Sequence, residues 1–335
     1  MKAWQFKSAA GGLEKNLYLS AGGVQKPKPK DNEVLVEVYS MALNPADYKV
    51  PELGLIAKTM VPSPSIPGMD FCGRIVEVGS KVENLHVDEM VFGAMQPGNL
   101  GRGSLGQFIA VSKDMCAVMP VGMLANDFAA IGCAGATAYQ SIQPKVKEGD
   151  KIFINGGSGG TGTWGIQIAK ALGCHVTTSC STANVELCRS LGADEVLDYK
   201  TVDIVEELEG KGQVFSLVID NVGSPSNLYK VSHKFLLPNG RFVQVGVGMS
   251  FGSFPQLVSN MIRPGFLGGG KRKYEMLMVK PKAEEFERMA TWMKEGKIKA
   301  VIDTVFEFDD APKAFEKLKT GRAKGKIIVH TQVDR

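Results

Sequence analysis

Apolar and polar positions divide the chain into three textures. Up to about residue 125 the apolar runs are short and closely punctuated. Val34–Tyr39, Arg74–Val78, Met90–Phe92 and Gln107–Val111 read as strands, and so does the start, Met1–Phe6. Pro62, Pro64, Pro67, Gly68, Pro97, Gly98, Gly101, Gly103 and Gly106 separate them. Short strands with Pro/Gly turns predict a barrel-like β domain.

Beyond residue 125 buried strands alternate with helices. Lys151–Asn155, His175–Ser179, Glu195–Leu197, Phe215–Asp220 and Arg241–Val245 are apolar enough to be covered on both faces, as a parallel sheet requires. The helix after the first strand aligns Trp164, Ile168, Ala171 and Leu172. This repetition predicts a doubly wound α/β unit. Past residue 270 a helix over Ala283–Lys294 places Phe286, Met289, Ala290 and Met293 on one face. A strand Val305–Phe308 follows, then a helix aligning Ala311, Ala314, Phe315 and Leu318 with Asp309 or Asp310 as its cap. Lys326–Val329 is the last strand. The expected domains are 1–125, 126–269 and a return to the first domain over 270–335.

Length and composition add limits. The chain has 335 residues, which favours two domains. Its net charge of +4 comes without a long single-sign block, so no nucleic-acid partner is expected. The longest uncharged window, Ile152–Ala169, carries too many glycines and hydroxyls for a lipid-facing helix, so no membrane association is expected. Met1–Phe6 has no apolar leader pattern. The six cysteines form no C-x-x-C pair, which fits a reducing, cytoplasmic setting.

Of 39 glycines, six fall between Gly156 and Gly165. Gly157-Ser158-Gly159-Gly160-Thr161-Gly162 fits the G-x-G-x-x-G pattern, with a strand leading in and an amphipathic helix leading out. In that context the loop is a pyrophosphate cradle, and the helix N-terminus faces the anion. An Asp or Glu normally ends the second strand where NAD is preferred. Here Thr177–Asn184 contains no acid, and the first carboxylate is Glu186, already inside the next helix. Ser181 and Asn184 can donate hydrogen bonds to a 2′-phosphate, cap the following helix, or do both. This favours NADPH, with Lys324 or Arg322 as the distant cation. Tyr199 packs beside the adenine or is an ordinary surface aromatic. Asn221-Val222-Gly223 and Val245-Gly246-Val247 end the fourth and fifth strands, at the carboxyl edge where dinucleotides bind.

Several segments in order carry a family resemblance. They are Asn44–Lys49, Pro67–Gly73, Arg74–Gly79, Gly103–Phe108, Ala134–Tyr139, the glycine loop, Leu191–Asp194 and Gly321–Lys326. The chain resembles the medium-chain dehydrogenase/reductase superfamily, in its zinc-free quinone oxidoreductase and enoyl reductase branch. The resemblance implies an α/β protein: a GroES-like β domain split between the chain ends, with a Rossmann domain inserted. It also implies a nicotinamide contact at Thr137. Relatives that are alcohol dehydrogenases bind catalytic zinc through a Cys in the early loop and the His of a Gly-His-Glu segment. The matching places here are Asn44 and Met69, neither of which suits Zn²⁺. The four histidines are scattered singly. No metal is expected.

Without zinc, a conjugated acceptor is favoured over a simple ketone, because the charge spreads over an enolate or hydroquinone and hydrogen bonds suffice. Asn44 would face the nicotinamide or substrate oxygen. Tyr48 would bond the same oxygen, give it a proton, or merely line the site. For Asp47 and Lys49 a turn or an ion pair outweighs catalysis. Arg263–Lys273 reads as a glycine-rich basic loop, either beside the cleft or a solvated linker. The function expected is NADPH-dependent hydride transfer to a quinone or other conjugated carbonyl by a homodimer. An enoyl reductase of a biosynthetic pathway and a noncatalytic NADPH-binding protein are the alternatives.

Overall fold

The computed structural model describes residues 1–331 except 55, 56, 58, 60, 97–100 and 246–269. Gly98, Gly246, Val247 and the 263–269 part of the basic loop therefore lie outside the described residues. The chain divides into two compact units. The first comprises Met1–Ala136 with Lys280–Arg335, and the second Thr137–Val279. The changes of texture near residues 125 and 270 precede these boundaries, since one helix, Gly132–Ile142, runs through the first of them.

In the first unit β1 (Ala3–Gln5) pairs antiparallel with β2 (Tyr18–Ser20). The main sheet contains β3 (Glu33–Ala42), β4 (Asp70–Val78), β5 (Met90–Ala94), β6 (Phe108–Ser112) and β7 (Cys116–Val118). Strand β3 pairs with both β4 and β6. Its alternate residues Val34, Val36 and Val38 are fully buried against Phe71, Ile75, Val91 and Ile109. A short helix, α1 (Pro45–Lys49), follows β3, and α2 (Gly132–Ile142) starts within the first unit.

The second unit holds a six-stranded, wholly parallel sheet. Its strands are β8 (Lys151–Asn155), β9 (His175–Cys180), β10 (Glu195–Asp198), β11 (Phe215–Asp220), β12 (Leu236–Gln244) and β13 (Lys273–Met276). Their order is β10-β9-β8-β11-β12-β13. Ile152, Phe153 and Ile154 are buried at the sheet's centre, with α3 (Gly160–Ala171) and α4 (Val185–Ser190) among the crossovers. This is the expected doubly wound arrangement. Strand β12 begins five residues earlier than expected. The ladder shifts register across the added stretch, between Phe215 and Leu217 of β11. Strand β13, of which only Lys273 falls in the basic loop read from the sequence, adds a strand that the sequence pattern does not predict. Its Glu275 takes Lys145 at 3.1 Å, and its backbone runs parallel to β12.

The chain then returns to the first unit through α5 (Ala283–Lys294), β14 (Ile302–Phe306), α6 (Ala311–Lys319) and β15 (Lys326–His330). Strand β15 joins β3, so both ends of the chain share one core. Strand β14 ends two residues before the expected Phe308, which lies in a 3-10 turn. Asp310 stands at the N-cap of α6, but its carboxylate pairs with Lys313 at 2.7 Å and accepts no cap bond; Asp309 pairs with Lys2. Among the described residues no helix is long and apolar enough to cross a membrane.

Candidate functional site

In the first unit, polar side chains gather where β3 runs into α1. Asn44 is the N-cap of that helix, and its backbone N–H donates to Asp47 Oδ2 at 2.7 Å. Asp47 thus closes the helix's first turn. Three acceptors meet one ammonium: Lys326 Nζ donates to Asn44 Oδ1 (2.6 Å), Leu43 O (3.0 Å) and Asp70 Oδ2 (3.0 Å). Lys326 is 3% exposed and Asp70 fully buried. The other oxygen of Asp70 accepts the N–H of Cys133 at 2.7 Å, in the first turn of α2, where the helix dipole favours an anion.

This network orients Asn44. Its Oδ1 is committed to Lys326, while Nδ2 lies 3.4 Å from Ala42 O and the side chain also bonds the Asp47 carboxyl. Nδ2 is the donor of this amide that a ligand oxygen would draw on. Tyr48 is half-buried, with Lys319 Nζ 5.4 Å from its ring centre. Burial, and then the charge of Glu52, push its phenol pKa upward against the pull of Lys319, so it holds its proton more tightly than a free tyrosine. Burial lowers the pKa of Lys49. Lys326 and Asp70 are not marked in the sequence; each is simply the charged residue that opens its strand.

In the second unit the glycine loop links β8 to α3. Gly157 N–H donates to Ser179 O (2.8 Å) and Gly156 N–H to Ser179 Oγ (3.0 Å), which ties the loop to β9. Any side chain on Gly157 would overlap Thr178 Oγ1, and one on Gly162 the carbonyl oxygen of Gly156. Gly159 is the N-cap of α3, and Gly160, Thr161 and Gly162 form its first turn. Asn184 Nδ2 donates to Ser158 Oγ at 3.0 Å, and Asn184 N–H donates to Ser181 O at 2.8 Å, so these two residues stand beside the loop at the end of β9. Neither Ser181 nor Asn184 caps the following turn through its side chain.

The dinucleotide fit rests on orphaned polar atoms. Asn221 Nδ2 and Oδ1 and Asn184 Oδ1 are buried without hydrogen-bond partners. Buried polar groups are seldom left so without water, an ion or a ligand to complete them. Asn221 follows β11, and Val245 follows β12, its N–H on Asp220 O at 2.9 Å. Thr137 is buried in α2. Tyr199 is 52% exposed just after β10, its N–H on Cys180 O, so it flanks Ser181. Lys200, which sequence reading missed, places its ammonium 5.4 Å from the Tyr199 ring centre. The neighbouring Asp198 is occupied: Thr182 and the Lys200 N–H bond its carboxylate and lower its pKa. Lys324 belongs to the first unit, where its backbone N–H donates to Asp303 Oδ1.

A split β unit, an inserted Rossmann sheet and a glycine-rich phosphate loop define a medium-chain dehydrogenase/reductase. Residues 30–121 match the alcohol dehydrogenase GroES-like domain family, and residues 191–329 match the zinc-binding dehydrogenase family. The chain is 45% identical over 344 residues to the trans-enoyl reductase pgmF of Aspergillus terreus, covering 98% of this chain and 96% of that one. It is 33% identical to the chloroplast envelope quinone oxidoreductase homolog of Arabidopsis thaliana, with 98% of each chain covered. The quinone oxidoreductase structure from Coxiella burnetii superposes with a TM-score of 0.84 at 28% identity, covering 99% of both chains. The chain belongs to the medium-chain dehydrogenase/reductase superfamily, in its zinc-free quinone oxidoreductase and enoyl reductase branch. It is an oxidoreductase that uses a nicotinamide cofactor. Despite the name of the second matching family, the positive charge beside Asn44 is supplied by the Lys326 ammonium.

Proposed function

We propose that the protein is an NADPH-dependent reductase of conjugated carbonyl acceptors, quinones or activated C=C bonds. The observation that carries this reading is the buried Asn44–Lys326–Asp70 network, which presents a fixed amide donor where relatives have a zinc ligand. Bound NADPH supplies the hydride, and the protein orients the acceptor and withdraws charge from its oxygen. Asn44 Nδ2 and the Tyr48 hydroxyl donate to that oxygen. Charge delocalised over an enolate or hydroquinone needs no more than such donors. The glycine loop Gly157–Gly162 holds the pyrophosphate, with Thr137, Asn221 and Val245 along the nicotinamide half. Gly246, Val247 and Lys324 complete the candidate set.

The choice of NADPH rests on the second unit. Ser181 and Asn184 offer donors, Tyr199 a stacking face and Lys200 a cation, while Asp198 is bound to its own turn. Lys200→Ala is expected to weaken NADPH binding roughly tenfold and leave NADH binding unchanged, as loss of a charge-assisted contact to the 2′-phosphate requires. Fluorescence titration with both cofactors checks this. Equal losses for the two would remove Lys200 from the phosphate site.

A second reading, reduction of 2-enoyl thioesters, is favoured by the 45% identity to a trans-enoyl reductase. Rates of NADPH oxidation with 1,4-naphthoquinone and with a 2-enoyl thioester separate the two. Six thiols without a disulfide fit a cytoplasmic setting. A homodimer is also proposed, because among the described residues β13 is an edge strand, followed by the exposed Met278.

A further inference from the structure

The first unit holds a cavity of about 480 Å³ that neither Asn44, Tyr48 nor Lys326 lines. Small organic ligands occupy sites of roughly 300–1,000 Å³. Strand β6 supplies much of its apolar surface. The strand's residues alternate: Ile109 and Val111 point into the core, while the half-buried Phe108 and Ala110 lie on the opposite face, beside the cavity. Ile66 and Val24 extend this surface. Every lining residue belongs to the first unit.

Three cations, Lys26, Lys28 and Arg102, stand around this surface, and among the described residues no carboxylate lines it. All three are exposed, so the cavity has an apolar floor and a basic rim. Among the described residues none of the three forms an ion pair, whereas Lys2, Lys30 and Lys81 of the same unit pair with Asp309, Glu33 and Asp31. Two of the three are tied to the wall. Lys26 Nζ lies 4.1 Å from the Phe108 ring centre, a cation–π contact. Arg102 stands between two residues bonded to Ile66: Gly101 O accepts the Ile66 N–H at 3.1 Å, and Gly103 N–H donates to Ile66 O at 2.9 Å. Cations gathered without a counter-charge repel one another and raise the local concentration of anions.

We propose that this cavity is a second ligand site, which binds a small organic anion with an apolar body. The acidic head lies among Lys26, Lys28 and Arg102, and the body covers Phe108, Ala110 and Ile66. Both halves of such a ligand are needed. An inorganic anion would satisfy the cations and leave the apolar floor in water, and a neutral apolar molecule would do the reverse. The Arg102 guanidinium offers two parallel N–H donors to a carboxylate or sulfonate, and the lysines add charge. The site takes no part in the hydride transfer proposed above, and it stands or falls independently of that reading.

The test uses two fluorescent dyes that differ in one group: 8-anilinonaphthalene-1-sulfonate and N-phenyl-1-naphthylamine, which lacks the sulfonate. The wild type is expected to bind the sulfonate dye, and added salt should weaken that binding. A chain carrying both Lys28→Gln and Arg102→Gln should bind it roughly tenfold more weakly, as loss of two charge-assisted contacts at an exposed rim predicts. Binding of the neutral dye should not change in this variant. Both substitutions are at exposed positions, so the fold is kept, and the melting temperature checks this. Ala110→Trp fills the cavity without touching the cations and should remove the site for both dyes. A wild type that does not bind the sulfonate dye, sulfonate binding that neither variant alters, or equal losses for the two dyes in the double variant would each overturn the proposal.

Discussion

Lys326→Met is expected to destabilise the first unit by about 3–5 kcal/mol, the usual cost of removing one partner from a buried ion pair. The reason lies in what is left behind. Asp70 is fully buried and would keep only the Cys133 N–H, while Asn44 Oδ1 and Leu43 O would lose their donor. Met matches the length of the Lys stem, so cavity formation adds little. Calorimetry should show a melting temperature lower by roughly 6–15 °C. Asp70→Asn in the same chain should restore part of the loss, because the uncompensated charge is then gone. A double-mutant cycle in which the two changes simply add would show that the pair is not coupled. Activity should fall further than stability, since Lys326 also holds the Asn44 amide.

The second large effect concerns Gly162. Two tendencies oppose each other there. Alanine is the better helix former by about 1 kcal/mol. A methyl group, however, would overlap the Gly156 carbonyl and the Gly157 backbone, and backbone atoms cannot rotate away as a side chain could. The overlap wins, because it must separate α3 from the end of β8. Gly162→Ala is expected to cost about 1–3 kcal/mol in stability and to weaken NADPH binding roughly a hundredfold through a displaced loop. Gly165→Ala is the control. It lies one turn further along the same helix, and its methyl group would meet only the Ile154 and Ile142 side chains, at 3.3 and 3.7 Å. It should bind NADPH as the wild type does, measured by the same titration. Similar losses in both variants would deny the loop its special role.

These two cases show what the sequence makes legible. The strand–loop–helix unit could be read because its signal is local: an apolar strand, a glycine pattern and an amphipathic helix occupy 21 consecutive residues, Lys151–Ala171. The parallel strands Lys151–Asn155 and Phe215–Asp220 were equally clear, since burial on both faces leaves an unbroken apolar run. Strand β13 was not, because Lys273-Tyr274-Glu275-Met276 lacks such a run and is held by its pairing with β12 and by the Lys145–Glu275 ion pair. Asn44 is proposed from its place in a motif. Its partner Lys326 lies 282 residues away, and nothing local marks a lysine that opens the strand Lys-Ile-Ile-Val-His as a buried cation. The same holds for Asp47. As part of Asn-Pro-Ala-Asp it is a turn residue, and only its burial and the neighbouring charge of Asp70 push its carboxyl pKa up to about 8.

The measurement that tests the account most directly follows NADPH absorbance with protein dialysed against a zinc chelator. Oxidation should depend on an added conjugated acceptor, 1,4-naphthoquinone or a 2-enone, should be much slower with NADH, and should run at the same rate before and after chelation. A rate that collapses on chelation and returns with Zn²⁺, or an NADPH signal that no conjugated acceptor changes, would contradict it.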